Sequence, residues 1–143
     1  MKIIQVYDWL IYALISAFLY GLWALFSKLA TNYINPHSIL FYEGIGFLVP
    51  IFIVLAKANF SLSSDIRGII YAILVGITGA VATLFLFVAL SKGHASIIVP
   101  LTALYPIFTI LMAYFILKEF ITFQQIIGLL FALVAVVLLT YTK

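Results

Sequence analysis

Glu43 is the residue whose type and placement most constrain the chemistry open to this chain. It sits inside the run NPHSILFYEGIGFLVPIFIVLAK, Asn35 to Lys57, whose other residues mostly suit hydrocarbon. With a helix starting at Pro36 and rising about 1.5 Å per residue, the carboxylate lies roughly 10 Å into a hydrocarbon core about 30 Å thick. A charge at that depth costs on the order of 3 kcal/mol or more, so such residues normally face a bundle interior or a wet cavity and have a partner there. A carboxylate so placed binds a cation or takes up and releases a proton. The alternative is structural: it stays protonated, or snorkels, and ties helices together.

Two further constellations accompany it. Tyr12, Ser16, Tyr20, Trp23 and Ser27 recur at intervals of four, four, three and four, which puts them on one helical face. Trp9, Tyr12 and Tyr33 also fit the ordinary interfacial use of aromatics, whereas Tyr20 and Trp23 lie too deep for that. They suit either the lining of a small-molecule path or helix packing. Downstream, Pro100 and Pro106 each remove a helix hydrogen bond and leave a carbonyl without its donor. Thr102, Tyr105 and Thr109 share a face beside them. Interrupted helices of this kind occur at transporter binding sites, and also as kinks without a ligand. Pro50 is a third kink position.

Other chemistries find little support. His37 and His94 have no second imidazole or carboxylate at ligand spacing, and cysteine is absent, so neither a metal centre nor a thiolate nucleophile is expected. No Ser, His and Asp set, phosphate-binding glycine loop or cofactor motif is present. Asp8, Asp65 and Glu119 read as solvated helix ends. An enzyme would have to work with Glu43 almost alone.

The elements that must position these residues follow from composition. Of 143 residues, 67% are hydrophobic and 8% charged, with a mean hydropathy of +1.34. So little polar surface could not cover a water-soluble core of this length. The net charge of +3 reflects loop ends at a membrane, with no basic patch for nucleic acid. Five candidate spans are expected at about 7–30, 36–56, 68–91, 96–117 and 122–141, since helices satisfy their own backbone in lipid. The run after Asp8 is too long for a signal-peptide core and reads as a retained span. Asn35 is expected to cap the second helix with Pro36 at its first position. Gly93 is expected to stop the third, and Ser96 is a candidate cap for the fourth. Short connections imply one domain over 1–143, all-α and integral to a lipid bilayer. Ala72, Gly76 and Ala80, and again Gly128 and Ala132, recur every four residues and read as helix-packing surfaces. Thr78 and Thr83 are expected to bond back to their own helix.

GHASIIVPLTALYPIFTILMAYFILKEFITFQQIIGLLFALVAVVLL resembles the second half of an EamA domain, the unit of the drug/metabolite transporter superfamily. The resemblance lies in Gly93 to Ser96, the pair Pro100 and Leu101, Glu119 opening the last connection, and Gly128. WALFSKLATNYINP, with Lys28, resembles the end of the family's first helix. It implies one five-helix half-transporter repeat, where most relatives carry two in tandem. The resemblance also implies an arginine in the second helix near Glu43. The acid here breaks that pattern, so the arginine's role is not carried over; its sign suits a cationic substrate, proton coupling, or no charged substrate.

An odd number of spans puts the two chain ends on opposite sides of the membrane. Lys2, Lys57, Arg67 and Lys118 fall on one side, and Lys28, Lys92 and Lys143 on the other, so the positive-inside bias is almost nil. Together with the resemblance, which implies a transporter class built from paired halves, these features suggest a small-molecule transporter of the cell membrane that works as a homodimer, with antiparallel pairing open, or pairs with a similar half. Access would alternate around a midplane site of Glu43, Tyr20, Trp23, Thr102 and Tyr105. Alternatives are a non-transporting subunit of a larger membrane complex and a flippase for a lipid-linked sugar.

Overall fold

A computed structural model describes residues 8–62 and 65–141. Among them, five helical stretches are long and apolar enough to cross a membrane. The chain forms two compact units, Met1–Lys92 and Gly93–Lys143.

The first unit holds α1 (Asp8–Ala30), α2 (Pro36–Lys57) and α3 (Ile66–Lys92). The expected start of the first span, Tyr7, lies outside the described residues. α1 closes through Tyr33 and Ile34, whose N–H groups both donate to the Ala30 carbonyl at 3.0 Å. Asn35 then caps α2 as expected: its side-chain oxygen accepts from the Ser38 N–H at 2.9 Å, with Pro36 opening the helix. At the far end the Phe60 N–H reaches the Leu55 carbonyl at 3.0 Å, and Asn59 and Phe60 take φ of 50° and 56°, left-handed backbone that turns the chain out of the helix. α3 starts two residues before the expected Gly68. Asp65 is the reason, because its carboxylate accepts from the Arg67 N–H at 2.9 Å and satisfies an otherwise orphaned donor.

Burial in this unit gathers at one end. Ala24 and Ser27 of α1, Ile39 of α2, and Phe87 and Leu90 of α3 are buried, all near the C-terminal ends of α1 and α3 and the start of α2. Lys28 fastens the same end: its Nζ donates to the Leu90 carbonyl at 2.7 Å, in the last turn of α3, where carbonyls lack helical donors. Every α3 residue from Ile66 to Ala82 is exposed. Away from the buried end, the three helices surround a hollow instead of a core.

The second unit holds α4 (Ala95–Thr102), α5 (Tyr105–Met112), a π-helical turn (Ala113–Leu117) and α6 (Phe123–Thr140). The fourth span is thus not one uninterrupted helix. Pro106 accounts for the break, since it has no N–H for the Thr102 carbonyl and its ring would crowd that group. The chain instead tightens, with the Leu104 N–H on the Leu101 carbonyl at 3.2 Å and the Ile107 N–H on the Leu104 carbonyl at 3.0 Å. Pro50 and Pro100 lie inside helices that continue past them. Ser96 does not cap α4: the helix begins at Ala95 behind His94, whose carbonyl accepts from Ile97 and Ile98. Lys118, with φ of 57°, ends the π-helical turn. Thr122 and Gln125 then form a reciprocal capping box at the head of α6, the Thr122 N–H donating to the Gln125 side chain at 2.8 Å.

Candidate functional site

Glu43 lies in the second turn of α2, half-buried and turned toward α1. The Trp23 indole N–H donates to its Oε1 at 2.7 Å, a charge-assisted length. Trp23 is held from behind by Phe87 of α3, ring centroids 6.0 Å apart and tilted by 37°, and its backbone carbonyl accepts from the Ser27 hydroxyl at 2.7 Å. The carboxylate is therefore positioned by a ring whose orientation is fixed from two sides. No ion pair joins Glu43 among the described residues.

The pair borders two hollows of the first unit. The larger, about 870 Å³, runs between Tyr12, Ser16, Tyr20 and Trp23 of α1, Glu43, Gly44 and Phe47 of α2, and Gly76, Gly79, Ala80 and Thr83 of α3. The smaller, about 550 Å³, lies toward the buried end and is walled by Trp23, Phe26, Ser27, Ile39, Tyr42, Glu43 and Phe87, among others. Glu43 and Trp23 stand at the boundary of both. Among the described residues, Glu43 is also the only charged side chain in either wall.

The α1 stripe divides between these surroundings. Tyr12, Ser16, Tyr20 and Trp23 face the larger hollow, while Ser27 is 5% exposed and belongs to the buried end. Tyr12, which also suits a merely interfacial role, is part of that wall. Gly76 and Ala80, whose spacing suggests helix packing, line the hollow as well, and a Cβ added at Gly76 would meet nothing within 4 Å. Ala72 is exposed outside the wall. In the second unit Gly128 and Ala132 are exposed, and a Cβ at Gly128 would likewise meet nothing. Thr102 and Tyr105 flank the break before α5; the Thr102 hydroxyl donates to the Val99 carbonyl at 2.8 Å, and Tyr105 is 68% exposed. Neither is part of the walls around Glu43. Gly79, Thr83, Phe47 and Phe87 were not expected at the site. Gly76, Gly79, Ala80 and Thr83 share an i, i+3, i+4, i+7 stripe of small residues that marks this face of α3 in the sequence. Thr78 bonds back to the Leu74 carbonyl at 2.7 Å, as its position suggested.

Among the described residues no group of three His, Cys, Asp or Glu side chains comes together to hold a metal. The site is thus a lone acid with a hydrogen-bonded indole, between helices that cross a membrane. These features define a multi-pass integral membrane protein with a polar centre in an apolar setting. The EamA-like transporter family matches residues 8–141, and the chain belongs to that family, whose members carry small molecules across membranes. An uncharacterised protein of the archaeon Methanocaldococcus jannaschii is 30% identical over 134 residues, covering 94% of this chain and 97% of the relative. No solved structure matches the chain.

Proposed function

We propose that this protein is a half-size transporter of the cell membrane. Two five-span halves, a homodimer in either relative orientation or a pair with a similar half, would alternate access around Glu43. The observation that carries this reading is that Glu43, inside a helix apolar enough to span a membrane, is the single charged side chain among the described residues in the wall of a hollow of about 870 Å³. Such hollows are of the size that encloses small organic ligands. Family membership supports transport, and the similar length of the archaeal relative supports a one-repeat unit. In this reading Glu43 holds a cation or proton, and Tyr20 and Trp23 shape the path beside it.

Glu43→Gln tests it. The amide keeps the size of the side chain and an oxygen to accept from Trp23, but removes the charge. Uptake or efflux by reconstituted protein is expected to fall to background while the unfolding free energy in detergent stays within about 0.5 kcal/mol of the parent. Normal flux through the variant would remove Glu43 from the mechanism.

A further inference from the structure

The walls around Glu43 carry information about what enters. The indole of Trp23 occupies Oε1, and no other donor reaches the carboxylate among the described residues. Nor is any described side-chain oxygen or nitrogen sealed away without a partner, so Oε2 stays accessible where the two hollows meet. A carboxylate with one oxygen fixed and one open is arranged to receive a positive charge. Among the described residues no lysine, arginine or histidine lines either hollow, so an anion would find no opposite charge there and would face the charge of Glu43. Among the described residues no second acid lines either hollow to balance a dication. The ligand cluster that a bare metal ion requires is missing among the described residues. The volume of about 870 Å³ far exceeds one ion, and Tyr12, Tyr20 and Phe47 offer ring faces of the kind that attract organic cations.

We propose that the larger hollow takes an apolar organic monocation, its charge at Glu43 Oε2 and its body against Tyr12, Tyr20 and Phe47. This substrate class rests on the reading of the hollow as the transport site. Trp23 acts as a positioning residue that aims the open oxygen.

Tetraphenylphosphonium and tetraphenylborate share a shape and differ in the sign of charge, and triphenylphosphine is a neutral companion. Equilibrium binding of each is measured on the purified full chain in detergent, on Glu43→Gln, and on Gly79→Phe, which places a ring in the hollow where a Cβ meets nothing. Saturable binding of the phosphonium is expected, about 10- to 100-fold weaker in Glu43→Gln, with no saturable binding of the borate. The two ions can be compared on the parent protein alone, so the test does not depend on a variant folding. Equal affinity for both ions, or phosphonium binding untouched by Glu43→Gln, would overturn the cationic class. If the borate or the phosphine binds instead and Gly79→Phe abolishes it, the hollow remains the site and only the class fails. If none of the three binds folded protein, the site reading fails with it.

Discussion

At the scale of single residues, two contacts made by long side chains of α1 do different work. Trp23 gives its N–H to Glu43 at the edge of the hollows, whereas Lys28 gives its ammonium to the Leu90 carbonyl at the buried end. The second contact places positive charge on the negative end of α3 and supplies a donor to an orphaned acceptor. Lys28→Met is therefore expected to lower stability by about 1 to 2 kcal/mol, read from unfolding in mixed micelles, with Lys28→Arg restoring most of it. Glu43→Gln should show the opposite pattern, with function lost and stability kept. That Glu43 needs a partner was legible from the sequence, because an acid in an apolar span is costly wherever its side chain points. Its partner was half legible. The four-residue stripe put Trp23 on a particular face of α1, but nothing in a one-dimensional spacing says which neighbouring helix that face meets.

At the scale of elements, the spans and several caps followed from local chemistry, because about 20 apolar residues are needed to cross the hydrocarbon and Asn35 bonds only to its own helix start. Asp65 is solvated as its place in the chain suggests, and it also caps α3, a role that spacing alone does not separate from mere exposure. The small residues of α3 were misleading for a related reason. Gly76 and Ala80 lower the helix surface equally for a packed neighbour and for an open space, and only the tertiary arrangement distinguishes them. In the fourth span the interruption falls at Pro106 and not at Pro100. Restoring the missing donor with Pro106→Ala is expected to join α4 to α5. Unfolding resistance should rise by about 1 kcal/mol or more, and transport in proteoliposomes should slow as the interrupted segment stiffens.

At the scale of the whole molecule, orientation in the membrane becomes the quantity to measure. Lysine and arginine are divided almost evenly between the two sides, which leaves no strong electrostatic preference during insertion. The absence of cysteine makes a clean probe possible: Ser61→Cys lies in the exposed connection between α2 and α3. With an impermeant thiol reagent on intact cells, about half the molecules should label if insertion is dual. Labelling that is all or none would exclude an antiparallel homodimer of this chain. The placement of burial in residues 8–92 has a mechanical corollary. Burial is concentrated at Ala24, Ser27, Ile39, Phe87 and Leu90, so any rigid tilt of a helix about that end would be largest at its far tip. Ile66 stands roughly 30 Å along α3 from Phe87, so a rigid tilt of about 5° about that end would swing the tip by about 3 Å.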